Sequence, residues 1–289
     1  MGNEKKLNRL DPRFFEALGY LTDSDFLPVL RAGDPKWLHV VILGASLEAK
    51  AVSDAVAHLC HYPNMGDRQR KTRITFMFPE KETFEQDFRN FYRNIFSLKE
   101  DILDVEWEFV PVKIREKEAL RLMQQWEEDE EQCLRVVIAS GSIHMDNLIL
   151  KVLRKLNLTV YAWGDGNLPG EYEILEARGS RVNYVYDKAY GNPPSANEEE
   201  AWKKASEASR NGSICCGNAL VLRKKCFDFT GDLTPVYEAE HRRWMMSVLL
   251  FGYRKGVKAH ICDYHDLPAS EQIKDKILVD NLDYIINGL

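Results

Sequence analysis

The sequence predicts an α/β protein: a doubly wound, mostly parallel six-stranded sheet followed by a smaller, mainly α-helical domain. Three observations carry this expectation. Between Trp37 and about residue 190, short apolar runs alternate with segments of helical periodicity, the order that gives parallel strands joined by right-handed crossovers. DKAYGNPPSANEEEAW then interrupts the pattern with a glycine, two adjacent prolines and a charge run, the composition of a joint. Beyond it, apolar positions recur at helical spacing. The expected division is an N-terminal helical extension over 1–36, the sheet domain over 37–192 and the helical domain over 193–289.

Taken in order, LHVVIL (Leu38 to Leu43) reads as a fully buried strand, and the next helix carries Ala49, Val52, Val56 and Leu59 on one face. TRITFMF (Thr72 to Phe78) is the second strand, followed by a helix with Phe84, Phe88, Phe91 and Ile95 at helical spacing. VEWEFVPV is the third, before a strongly charged helix with Ala119, Leu122, Met123 and Trp126 as its stripe. LRVVIA (Leu134 to Ala139) is the fourth, and its helix places Met145, Leu148, Ile149 and Val152 on one side. LTVYAW and VNYVY complete the six. After the joint, Glu198 to Glu200 suit the first turn of a helix, where negative charge is favourable.

The bulk numbers narrow the function. A net charge of -6 argues against a nucleic-acid binder or an anionic-membrane binder. No apolar run approaches the roughly 18 residues of a membrane helix, and the polar N-terminus has no signal-peptide core. Six cysteines without regular spacing read as reduced thiols, so the expected location is cytoplasmic. Cys215-Cys216 reads as two small packing residues, because no His or Cys partner stands at zinc-ligand spacing. No metal is expected. No Ser-His-Asp, Cys-His or Tyr-Lys constellation stands at recognisable spacing, which points away from an enzyme.

In a doubly wound sheet, ligands sit at the carboxyl ends of the strands, where the winding reverses. Two turns qualify. Gly44-Ala45-Ser46-Leu47 joins the first strand to its helix, where small residues let backbone amides approach a phosphate. Against G-x-G-x-x-G only Gly44 is intact, with Ser46 and Ala49 in place of the other glycines. Ser140-Gly141-Ser142 opens the helix that carries Asp146 and Asn147. VVILGASLEAKAV, VVIASGSIHMDNLIL and ILEARGSRVNYVY together resemble the TrkA-N type of nucleotide-binding Rossmann domain, over about residues 37 to 190. The resemblance implies NAD or another nucleotide held by Gly44, Ala45, Ser46, Leu47, Ser140, Gly141, Ser142 and Asn147. The chain departs from the family at its second strand, which ends Phe78-Pro79 with Glu80 beyond, where the family places its ribose-binding acid.

The last fifth is the most distinctive part. Tyr237, His241, Trp244, Val248 and Phe251 line one helical stripe, and Glu240 and Arg243 are spaced to pair. Gly252-Tyr253-Arg254-Lys255-Gly256 is expected to stop this helix in a turn, before a second helix from about Ser270 to Ile286. The Glu-His-Arg-Arg-Trp helix, the Gly-Tyr-Arg turn and Leu267-Pro268 resemble the ryanodine-receptor (RyR) repeat domain of bacterial proteins. Trp202, Asn218 and Arg223-Lys224-Lys225 take the places of its preceding helical stretch. Read by themselves, His241 is a satisfied, partly buried histidine, Trp244 a core residue, and Glu240 with Arg243 a structural ion pair. Tyr253, Arg254 and His260 follow the helix break and suit a base and a phosphate. The resemblance implies a nucleotide-type ligand held among Glu240, His241, Arg243, Trp244, Tyr253, Arg254 and His260. The expected function is a non-enzymatic regulatory or sensor protein. Its expected partners are a small ligand, a membrane or signalling protein and, in a homo-oligomer, further copies of itself. The alternatives are an NAD(P)-dependent oxidoreductase and an interaction scaffold with vestigial pockets.

Overall fold

A computed structural model provides the structure of the protein and describes residues 11–65, 70–79, 81–98, 102–113, 116–156, 158–163, 172–251 and 257–289. Its centre is an all-parallel sheet of five strands, β1 (Trp37–Leu43), β2 (Thr72–Phe78), β3 (Val105–Pro111), β4 (Gln132–Ile138) and β5 (Val160–Ala162), in the order β3-β2-β1-β4-β5. β1 pairs in register with β2 on one side and β4 on the other. Helices cover both faces, so the winding reverses between β1 and β4, as in a Rossmann-like arrangement.

Side-chain alternation divides the core. One face, with Val40, Ile42, Ile74, Phe76 and Phe109, is covered by α1 (Pro12–Asp23), α2 (Leu47–Leu59), α3 (Lys81–Phe91) and the single turn α4 (Arg93–Phe96). The other, with Val41, Leu43, Met77, Val136 and Ile138, packs on α5 (Lys117–Glu127) and α6 (Ile143–Leu153). Of the expected helical extension over 1–36, α1 is the helical part among the described residues, and residues 24–36 form no helix. Asp11 caps it, accepting from the Arg13 amide at 3.0 Å, ahead of Pro12 in the first turn.

The expected sixth strand is not a strand. VNYVY lies inside α7 (Tyr172–Tyr190), whose buried positions Leu175, Gly179, Val182 and Val185 step by four, three and three. A short run of valine and tyrosine fits either period, and the longer stripe on both sides of it decides for helix. The helix after the joint is likewise two helices, α8 (Glu198–Lys204) and α9 (Glu207–Cys226), with Asn197 capping the first and Ser206 the second. α10 runs from Thr234 to Phe251, and the stretch expected as one terminal helix breaks at Asn281 into α11 (Ala269–Asp280) and α12 (Leu282–Asn287).

α7 and α9 cross at glycines. A β-carbon on Gly217 would stand 2.8 Å from the Arg178 carbonyl oxygen, and one on Gly179 would stand 2.6 Å from Cγ1 of Ile214. Asn218, wholly buried, ties the crossing: its amide donates to the carbonyls of Ile214 (2.8 Å) and Leu175 (3.2 Å) and accepts from Arg178 at 2.8 Å. The crossing feeds directly into the core on one face of the sheet. Ile214, Cys215 and Ala219 of α9 and Met246, Leu249 and Leu250 of α10 belong to the same apolar cluster as Phe14, Val52 and Val56. Phe251 stacks on His58 of α2 at 4.8 Å and meets Phe14 edge-on at 5.9 Å. A smaller cluster joins Val182, Val185, Leu220, Leu278 and Ile285 at the far end.

Two substitutions in one helix therefore have opposite signs. Gly217→Ala presses a methyl group on backbone and is expected to cost about 1–3 kcal/mol. Gly212→Ala, whose β-carbon meets nothing within 4 Å, is expected to gain about 0.5–1 kcal/mol from helix propensity. Urea unfolding of both variants checks this, and equal effects would remove the crossing as the cause.

Candidate functional site

The turn after β1 and the turn after β4 come together at the carboxyl edge of the sheet. Gly44 has φ of +144°, and a β-carbon there would collide with the Ala139 carbonyl. Ser46 caps α2: its hydroxyl accepts from the Ala49 amide at 3.1 Å and donates to the Ala139 carbonyl at 2.9 Å. Gly141 packs on this serine, and a β-carbon added to the glycine would stand 3.1 Å from that of Ser46. Ser142 caps α6, and Asp146, absent from the site expected from the sequence, accepts from the Ser140 amide at 3.0 Å. Ala45, Leu47 and Asn147 are exposed.

The start of α2 has its own negative charge. Glu48 turns back on its own amide and on Ser46, and Arg13 of α1 donates to it at 3.0 Å. Burial opposes that charge, but the amide, Ser46 and Arg13 outweigh it and hold the carboxyl below its ordinary value. A phosphate at this helix N-terminus would meet a carboxylate already there.

A second arrangement lies among the C-terminal helices. Glu240 of α10 is fully buried between two arginines. Arg223 of α9 binds one carboxylate oxygen, while Nε (2.8 Å) and Nη2 (2.7 Å) of Arg243 converge on the other. Arg223 also donates to the Ala239 carbonyl at 3.3 Å, Arg243 to Ser247 Oγ at 3.0 Å, and the Cys216 thiol to Glu240 at 3.4 Å. Burial works against ionising Glu240, but the two guanidiniums prevail and its carboxyl lies below its ordinary value. Asp275 of α11 faces the opposite outcome. Burial first, and then the charge of Glu240, push it up to about 8 against the opposing arginines.

This cluster forms one wall of a cleft of about 380 Å³ between α7, α9 and α10. Tyr186, Gly212, Ser213, Arg243, Trp244 and Phe251 line it. Trp244, expected in the core, is half-buried and its ring stacks on His241 at 5.6 Å. The expected apolar stripe is therefore not the helix's buried side: α10 is enclosed on most of its circumference, and Val236, Ala239, Met245, Met246, Leu249 and Leu250 are the apolar residues it buries. His241 donates from Nε2 to the Cys262 carbonyl at 3.0 Å, and burial lowers its pKa. His260 stands outside the cleft lining, 3.6 Å from Glu271. Tyr253 and Arg254 lie outside the described residues. Tyr186 escapes sequence reasoning because its segment reads as a strand, and Gly212 and Ser213 escape it because they carry no motif.

A larger cleft of about 790 Å³ opens at the start of α1, α7 and α9. Its polar groups already serve one another: Arg210 lies over the Trp202 ring at 5.4 Å and donates to the Trp202 and Lys203 carbonyls, and Glu176 accepts from the Trp202 indole at 3.2 Å. Among the described residues, no group of three or more His, Cys, Asp or Glu could hold a metal, and no helix is long and apolar enough to cross a membrane.

Two measurements follow. Glu240→Gln leaves two buried arginines without their anion, a change expected to cost about 3–5 kcal/mol in urea unfolding. Asp275 keeps its proton in the folded state up to about pH 8 but releases it near 3.8 when unfolded. Its contribution to stability is thus complete below pH 3.8 and lost as the pH climbs to about 8. Asp275→Asn should then melt higher than the parent, by a margin that widens from pH 5 to pH 8. A constant margin would mean that Asp275 is ionised in the fold.

Comparison of the chain with protein-family models, with curated proteins and with solved structures yields no match.

Proposed function

We propose that the protein is a non-enzymatic regulatory protein that takes a small, nucleotide-type ligand in the cleft between α7, α9 and α10. One observation carries the reading: the buried Arg243 lines a cleft together with Tyr186, Trp244 and Phe251. Aromatic walls hold a flat ring and an arginine holds an anion, the two parts of a nucleotide. The resemblance of the Glu-His-Arg-Arg-Trp helix to RyR repeats supports the same class of ligand. The β1 turn is the weaker candidate for NAD or another nucleotide, because Glu48 stands where a phosphate would bind.

The cleft adjoins the sheet's core through Phe251, which touches both His58 and Phe14. A ligand that reorders this ring acts on the packing of α10 against α2, which suits a sensor with no chemistry of its own. Gly212 is the handle for testing this. A β-carbon at this position meets nothing within 4 Å, and Gly212 lines the cleft, so a larger side chain there has the cleft to extend into. Gly212→Phe is expected to lose at least tenfold in affinity for small molecules that copurify with the native protein, identified by mass spectrometry and returned by calorimetry. Its melting temperature should not fall. Undiminished binding in this variant would place the ligand elsewhere, with the β1 turn as the next site to examine.

A further inference from the structure

Charge counting restricts what this cleft can hold, and the restriction rests on the cleft being the ligand site. The buried cluster contains two guanidiniums and one ionised carboxylate. Asp275 is the group that could balance it. Facing Asp275 are Glu240, Arg243 and His241 from α10, Arg223 from α9, Tyr186 from α7, Tyr264, and Glu271 from its own helix. His241 comes no nearer to its carboxylate than 3.9 Å. Burial and Glu240 hold Asp275 protonated near neutral pH, and burial holds His241 neutral. One positive charge is left over, and of the two arginines it is Arg243 that lines the cleft.

Arg243 has hydrogen bonds to spare for an anion. A guanidinium has five N–H groups, and its bonds to Glu240 and Ser247 engage three. Among the described residues that line the cleft, Arg243 is the single cation and no carboxylate appears. Within the described lining, a polyphosphate would bring several negative charges to one guanidinium, which is poor compensation in a partly desolvated site. The size agrees, since about 380 Å³ is near the lower end of small-molecule sites.

We infer that the cleft selects a flat aromatic molecule bearing a single negative charge, and discriminates against both neutral and polyanionic relatives of the same ring. A cyclic nucleoside monophosphate and an aromatic carboxylate share that chemistry. Removing Arg243 would take two of Glu240's buried hydrogen bonds and disturb the cluster itself, so the test varies the charge of the ligand and leaves the protein intact. Calorimetry on the full chain at pH 7 would compare adenosine, 3′,5′-cyclic AMP and ATP, and separately indole-3-acetamide and indole-3-acetate. At least one monoanion is expected to bind tenfold or more tighter than its neutral partner, and 3′,5′-cyclic AMP tighter than ATP if the adenine series is the one that binds. The series that responds distinguishes a nucleotide from a carboxylate source. Raising the pH from 7 to 9 should weaken the monoanion, as Asp275 ionises and cancels the excess charge.

Equal or tighter binding of ATP or of the neutral molecules overturns the inference. If Gly212→Phe abolishes that binding, the cleft itself still stands as the site. Binding that survives Gly212→Phe overturns the cleft reading, and with it the inference. Failure of all five probes to bind also overturns the inference, because both rings and both monoanions will have been offered.

Discussion

Glu240 is the group on which the C-terminal half depends. A carboxylate with no exposure is tolerable only with full compensation, and here the compensation comes from two helices: Arg223 from α9, and Arg243 one turn along α10. That requirement sets the distance and rotation of α9 against α10. It also fixes the rest of the cleft, because the same rotation turns Trp244 outward onto His241 and leaves Ser247 beneath the Arg243 guanidinium. The apolar residues around the cluster add area, but they do not specify which face of α10 meets which neighbour. The ion cluster does.

A second constraint meets the first on α9. Gly179 and Gly217 bring α7 and α9 to backbone contact, with Asn218 bonded across the crossing. Ion cluster and crossing sit on different sides of the same helix, so α9 is held from both. The cleft is the space left beyond the crossing, where Gly212 meets nothing. The cleft between the three helices therefore has two walls tied to each other through α9, and its third, through Phe251, is shared with the helix that covers the sheet.

How much of this is legible in the sequence follows from the range of each interaction. The strands β1 to β4 and their helices are legible, because a buried parallel strand and an amphipathic helix each carry their own period. VNYVY misleads for the same reason: five residues hold too little of either period, and the stripe that settles it begins at Leu175. Glu240 and Arg243 are recognisable as a pair from their spacing, but their burial is not, since Arg223 joins them from another helix. The two turns at the carboxyl edge announce themselves by their small residues. What the sequence hides is that Glu48 folds back to use the helix end they expose. Gly212 is invisible, because a helical glycine that faces a void and one that faces a backbone are the same letter.

The contact of Phe14 with Phe251 joins an early helix to a late one. During synthesis α1 and the sheet emerge long before α9 and α10. At ordinary ribosomal rates the outer surface of α1 and α2 must wait on the order of tens of seconds for the helices that cover it. Over that interval the nascent chain lacks the ring that covers Phe14 and His58. A chain halted before α10 would be released with this part of α1 and α2 uncovered.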